Sequence, residues 1–208
     1  MNMGLIDELK RLPSYSEELG LDLSSTEDRF KWFLASLLFA KRISSNIAKK
    51  TFKRFIEEKL VSPDRILAAG WNRLVEVLDS GGYVRYDFST ATNILRTVKL
   101  LKSKYDGDLE RLHKEALDPK DLEKRLMEFK GFGPTAVNIF LRELRGIWSK
   151  ARPKPSPFAI EVANRLHLKE VEKYEPKLVR LYLEYCKRNK CKKCPVKNYC
   201  EKKVINSS

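Results

Sequence analysis

The chain contains no glutamine, only two histidines, and no cysteine before position 186. Abundant lysine, arginine and glutamate without glutamine is typical of heat-loving sources. The two histidines have no ligand-like spacing, which disfavours a histidine-based metal centre. The apolar stretches fall far short of the ~20 residues that a membrane span needs, and the N-terminus has no apolar export signal. We therefore predict a cytoplasmic protein without a membrane segment.

The four cysteines are confined to one short segment with the spacing C-x4-C-x2-C-x5-C, formed by Cys186, Cys191, Cys194 and Cys200. Two disulfides would need an oxidising compartment and would close only short loops, where they stabilise little. A single metal site is the better interpretation. Zinc sites with four cysteines usually pair two CxxC motifs, whereas only one is present here. The spacing and the following Pro195 favour a [4Fe–4S] cluster slightly and leave zinc open.

Positive charge dominates the composition, with 42 Lys and Arg against 28 Asp and Glu and a formal net charge of +14. The segment 186–208 alone holds eight basic residues and one acidic residue, which is half of this excess. Such a balance is typical of domains with a polyanionic partner, most often nucleic acid. A solvated basic surface without a partner is the simpler alternative.

Hydrophobic periodicity is helical along almost the whole chain, and no stretch alternates as a strand would. Residues 28–40 and 46–60 are predicted helices, and Ser62 with Pro63 is expected to cap and begin another. A long helix is expected at 90–105. The fold class is therefore predicted to be all-α.

A glycine-rich turn joins two of the predicted helices in the segment KGFGP at 130–134. Gly131 and Gly133 permit positive φ angles, and Pro134 suits the first position of the following helix. The backbone N–H groups of such a hairpin, with the next helix start, can hold a DNA phosphate. Phe132 is expected to be the apolar tip that packs against the hairpin's own helices.

With the hairpin and the cysteines together, the chain resembles the helix-hairpin-helix DNA glycosylases, and most of all their endonuclease III-like members. The matching segments are GFGPTAVNIFL at 131–141, SPFAIEVANRLHL at 156–168, LLFAKRIS at 37–44 and STATNILRTVKLL at 89–101. They occur in the family's order along nearly the whole chain. The cysteine spacing also matches, except that its first interval has four residues where the family has six.

The resemblance implies a two-lobed fold, with a six-helix barrel at 26–147 and a second lobe built from 1–25 and 148–208. It implies a [4Fe–4S] cluster on the four cysteines of the loop at 186–200. It also implies that a monomer binds double-stranded, damaged or distorted DNA, in the nucleoid if the source is prokaryotic. The implied DNA contacts come from the hairpin, the family's gap-filling and wedge positions, and the cysteine loop: Lys130, Gly131, Phe132, Gly133, Thr135, Lys41, Tyr83, Tyr86, Lys187, Arg188, Lys190, Lys192, Lys193 and Lys197.

Both catalytic positions of the family are substituted in this chain. Ser156 stands where the family has an aspartate that stabilises the positive charge developing on the sugar. Thr135 stands where the bifunctional members have the lysine that forms a Schiff base. We therefore expect DNA recognition without the usual base excision or strand cleavage. Two alternatives remain: a narrow-range glycosylase using Glu161, Lys154 or Lys130, and a zinc-stabilised nucleic-acid-binding protein.

Overall fold

The computed structural model describes residues 3–201, and every regular element in this range is helical. The all-α prediction is therefore confirmed. The α-helices are α1 (Met3–Arg11), α2 (Tyr15–Glu18), α3 (Thr26–Phe39), α4 (Ser45–Glu57), α5 (Pro63–Ser80), α6 (Asp87–Tyr105), α7 (Leu109–Glu115), α8 (Pro119–Met127), α9 (Pro134–Arg142), α10 (Pro157–Arg165) and α11 (Val171–Leu181). Short helical turns follow at Tyr182–Cys186, Cys191–Lys193 and Lys197–Tyr199.

Local sequence signals account for where several helices begin and break. Ser62 accepts a hydrogen bond from the Arg65 N–H at 3.4 Å, and Pro63 occupies the first turn of α5, as predicted. Gly70 interrupts α5 with φ 73° and ψ −178°, a conformation that side chains rarely permit. The helix therefore consists of two segments joined at this glycine.

The chain divides into two compact units, one formed by Leu19–Pro153 and the other by Met1–Glu18 together with Lys154–Ser208. The larger unit is centred on α3, whose Phe33 ring lies 4.5 Å from the ring centre of Phe132 and 5.4 Å from that of Phe140. Trp32 is fully buried and donates a hydrogen bond from its indole N–H to the Phe140 carbonyl at 3.3 Å. Aromatic packing thus ties α3 to the hairpin and to α9.

In the other unit, α1 packs with α10, α11 and the cysteine loop around one apolar cluster. Its buried members are Leu5, Leu9, Ala159, Val162, Ala163, Leu166, Leu168, Tyr174, Leu178, Val179, Leu181, Cys194 and Val196. Arg180 joins the N-terminal and C-terminal parts of this unit. Its guanidinium donates to the Pro13 carbonyl at 2.8 Å and pairs with Glu18 at 3.0 Å.

Within residues 3–201, none of the helices combines the length and the apolar character that crossing a membrane requires. The two longest helices, α5 and α6, have 18 and 19 residues and carry several charged side chains each.

Candidate nucleic-acid interface

The hairpin between α8 and α9 is formed by residues 130–134 and is exposed at both of its glycines. Gly131 adopts the left-handed conformation with φ +87°, as predicted. Gly133 does not, since its φ is −76° and its ψ is −177°, which any residue can adopt. Of the two glycines, only Gly131 uses the positive φ that both permit. Gly133 borders open space, because a Cβ added there would meet nothing within 4 Å.

Two hydrogen bonds stabilise the hairpin against its own unit. The Thr97 hydroxyl of α6 donates to the Lys130 carbonyl at 3.0 Å, and the Phe132 N–H donates to the Phe129 carbonyl at 2.9 Å. Phe132 is only 1 % exposed and its ring stacks on Phe33. Phe132 therefore packs onto its own unit as predicted, and its buried ring and engaged N–H leave the flanking glycines as the exposed part of the hairpin.

The hairpin still offers backbone donors at its glycines. In the part of the chain that the structure describes, no hydrogen bond engages the N–H of Gly131 or of Gly133. Lys130, Gly131, Gly133 and Thr135 are all exposed. Two unengaged N–H groups on a rigid exposed loop, next to the start of α9, are suited to binding an anion.

Two of the predicted DNA contacts lie in the loop before α6 and have different environments. Tyr83 is 1 % exposed and donates its hydroxyl to the Leu38 carbonyl at 2.8 Å, while burial raises its pKa. A ring so deeply buried offers no face on which a base could stack in this structure, so the DNA contact predicted for Tyr83 has no support from its position. Tyr86 is half-buried, and the Lys41 ammonium lies 5.8 Å and the Arg85 guanidinium 5.4 Å from its ring centre.

The Tyr86 cluster is therefore a small cationic site with one accessible aromatic ring. Cations over a ring face are attracted by its negative charge density and are held near it. Lys41 was predicted as a DNA contact, whereas Arg85 was not. Its sequence position between two tyrosines and next to an exposed valine gave no periodic signal that separated it from an ordinary surface arginine.

The two substituted catalytic positions lie in different units. Thr135 is exposed in the first turn of α9. Ser156 caps α10, where its hydroxyl accepts a hydrogen bond from the Ala159 N–H at 3.4 Å. Ser156 therefore has a local structural role that needs no charge.

A carboxylate that the sequence interpretation missed lies directly beside Ser156. Glu175 of α11 is fully buried, and its Oε1 accepts a hydrogen bond from the Ser156 N–H at 2.9 Å. The signal was available in the sequence, because Glu175 falls among the apolar positions Val171, Tyr174 and Leu178 at helical spacing. Acidic residues are rarely buried unless paired, so this position is exceptional.

The alternative catalytic candidates are surface groups. Glu161 forms an ion pair with Arg165 one turn later on α10, so its carboxylate already has a partner on its own helix. Lys130 and Lys154 are exposed, on the hairpin and ahead of α10 respectively. Their positions suit contacts with phosphate rather than a buried catalytic role.

All four cysteines are free thiols, so the structure contains neither of the disulfides considered above. Cys194 is buried in the apolar cluster of its unit. Burial is the main cause that raises the pKa of Cys194 to about 11. The other three cysteines raise this pKa further, and a backbone hydrogen bond involving Val196 lowers it.

The donor set has the chemistry of an iron–sulfur site, since four cysteine thiolates are the ligands of such clusters. Within residues 3–201, however, no three histidine, cysteine, aspartate or glutamate side chains are placed so that they could hold a metal ion. The predicted cations of this loop are all exposed, namely Lys187, Arg188, Lys190, Lys192, Lys193 and Lys197.

These features define an all-helical protein of two compact units, with an exposed glycine hairpin in one and a basic cysteine loop in the other. No protein-family model matches the chain, and comparison with curated proteins finds no similar one. Assignment to a family therefore rests on the residues described above and is a proposal.

Proposed function

We propose that the protein binds damaged or distorted duplex DNA, using a two-lobed helix-hairpin-helix fold of the DNA glycosylase type. The observation that carries the proposal is the hairpin at 130–134, where Gly131 and Gly133 present unengaged N–H groups on an exposed, well-supported loop. A phosphate is the DNA group that such a loop recognises, because it accepts several backbone hydrogen bonds at once. The net charge of +14 supplies a favourable field for the same partner.

The cysteine loop is the second contact that we propose. Cys186, Cys191, Cys194 and Cys200 would hold a [4Fe–4S] cluster, which supplies a cross-link that fixes the loop. The exposed lysines and arginine on this loop then face solvent in a defined arrangement. Their role is to neutralise DNA phosphates, with no part in base chemistry.

In the proposed function, the protein recognises DNA without excising a base. A serine at position 156 carries no negative charge near neutral pH, so it cannot stabilise a cationic sugar. A threonine at position 135 has no amine with which to form a Schiff base. Both hydroxyl-bearing residues are compatible with binding, and Ser156 is committed to capping α10.

A second function is favoured by one specific observation, the buried carboxylate of Glu175 beside Ser156. A negative charge near the family's catalytic position is what an active N-glycosylase of narrow range requires. Glu175 is fully buried, so it would act over a distance rather than by contact. Base release from a lesion-bearing duplex by the wild-type protein, and its loss in the Glu175→Gln variant with binding retained, would establish this activity.

The binding proposal predicts that Gly133→Ala weakens duplex binding while leaving stability unchanged. The new Cβ points into open space and the φ of −76° suits alanine, so the fold has no reason to change. A methyl group at the loop surface keeps a phosphate from the backbone N–H groups. We expect the dissociation constant to rise roughly tenfold or more, because the phosphate loses about one hydrogen bond to a charged group. Fluorescence anisotropy on a labelled duplex, with thermal unfolding in parallel, measures both quantities.

Gly131→Ala is a contrasting variant, because the same methyl group added two positions earlier should destabilise the hairpin itself. There φ is +87° and the added Cβ would lie 2.8 Å from the Asn93 amide nitrogen. We expect a loss of about 1–3 kcal/mol in the free energy of unfolding. Unchanged duplex affinity in the Gly133→Ala variant would overturn the phosphate role of the hairpin, whatever the contrasting variant shows.

A further inference from the structure

Two aromatic rings, one exposed and one half-buried, stack on each other next to Ser156. Phe158 and Tyr182 lie nearly parallel, with ring centres 4.4 Å apart and an interplanar angle of 10°. The Phe158 ring is 42 % exposed although Tyr182 covers one of its faces. Tyr182 is half-buried and packs against the apolar cluster of its unit, so the exposed Phe158 ring is supported from beneath and presents apolar surface to a ligand.

Both rings are held by unusual local structure. Phe158 is the second residue of α10, whose start is fixed by the bond from the Ser156 N–H to the Glu175 carboxylate at 2.9 Å. Tyr182 begins the π-helical turn Tyr182–Cys186, closed by a hydrogen bond from the Lys187 N–H to the Tyr182 carbonyl at 2.8 Å. Single π turns are uncommon and are frequent at functional sites. A rigid platform loses little entropy when a ligand binds to it.

The charges near the pair in sequence identify the occupant. Lys154 precedes α10, and Lys187 and Arg188 follow the π turn directly, and all three are exposed. An apolar ring face with exposed cations close to it in sequence suits a nucleobase attached to its phosphates. We propose that Phe158 and Tyr182 form a stacking platform for an unpaired nucleobase of bound DNA. This inference rests on the DNA-binding function proposed above.

The test compares a fully paired duplex with a duplex of the same sequence that carries one unpaired 2-aminopurine. Stacking on an aromatic side chain changes the fluorescence of that base on binding. Phe158→Leu keeps an apolar side chain and removes the ring face. We expect its affinity for the unpaired duplex to fall by roughly 5- to 100-fold, the range for loss of one base–aromatic stack, with the fluorescence change abolished. Affinity for the paired duplex is expected to stay unchanged.

Two variants on the same helix control for folding and for surface hydrophobicity. Phe158→Trp retains a ring and is expected to keep the selectivity. Ile160→Leu alters a side chain of similar exposure, 43 %, that has no aromatic face, and is expected to have no effect. An equal loss of affinity for both duplexes, or an unaltered preference for the unpaired one, in Phe158→Leu would overturn the platform. A wild-type protein that binds neither duplex would instead overturn the DNA-binding function itself.

Discussion

Tyr83 and Tyr86 lie three positions apart in the loop before α6, yet only Tyr86 has a ring that reaches solvent. Tyr83 is anchored by its hydroxyl to the Leu38 carbonyl, and its ring meets that of Tyr86 edge-on with centres 6.4 Å apart. Tyr83 therefore supports the loop from inside, while Tyr86 is placed between two cations at the surface. Burial, rather than residue type, separates a structural tyrosine from a candidate base contact.

This difference predicts opposite effects of two substitutions. Tyr83→Phe removes a buried hydrogen bond to the Leu38 carbonyl and leaves that oxygen only the longer bond from the Lys41 N–H at 3.5 Å, so the free energy of unfolding should fall by about 1 kcal/mol with duplex affinity retained. Tyr86→Leu removes the ring that Lys41 and Arg85 flank, so duplex affinity should fall several-fold with little change in stability. Urea unfolding and anisotropy titrations distinguish the two. Equal effects of both variants on DNA affinity would contradict the assignment.

At the scale of elements, the helix positions and the hairpin could be predicted because their signals are local. Ser62 with Pro63 marks a helix start, and the KGFGP segment marks a break between helices. The sequence also predicts that Phe132 points towards the interior, because an apolar side chain between two glycines is stabilised by packing against the helices that the hairpin joins. Its burial leaves the N–H groups of Gly131 and Gly133 as the exposed donors of the hairpin.

The buried carboxylate and the aromatic stack could not be predicted in the same way. Glu175 contacts Ser156 across nineteen positions, and Phe158 meets Tyr182 across two helical elements. Periodicity shows which face of a helix is buried, but it does not show which buried side chain meets which. Such contacts are determined by how α10 and α11 pack, and only the three-dimensional structure supplies that information.

Replacing one cysteine tests directly whether the cysteine loop holds an iron–sulfur cluster. The purified wild-type protein should be brown, with broad absorption at visible wavelengths, if the loop holds an iron–sulfur cluster. Cys191→Ala should lose this absorption and unfold at lower temperature, because the metal stabilises only the folded loop. Lys193→Gln, a change in the same loop at a residue that is not a proposed ligand, should retain the colour. A colourless protein containing zinc would reject the iron–sulfur assignment.

At the scale of the whole molecule, basic charge is distributed over both units and gives the net value of +14. Some cations are already neutralised within the protein. The Lys102 ammonium, for example, lies 2.6 Å from the Asp64 carboxylate. The cysteine loop differs because its six exposed basic residues are close together in sequence and no acidic residue stands between them. A polyanion is therefore attracted most strongly to that loop, in addition to the hairpin.

This distribution predicts how binding depends on salt. Each lysine that neutralises a phosphate releases about one counterion from duplex DNA, so the logarithm of the binding constant falls linearly with the logarithm of salt concentration. Lys193→Gln should weaken binding to all duplex sequences alike and reduce the magnitude of that slope by about 1. Lys102→Gln removes the same charge from a paired lysine and should leave the slope unchanged. The slopes come from anisotropy titrations at several salt concentrations. Equal slopes in the wild type and both variants would show that the cysteine loop does not contact the DNA backbone.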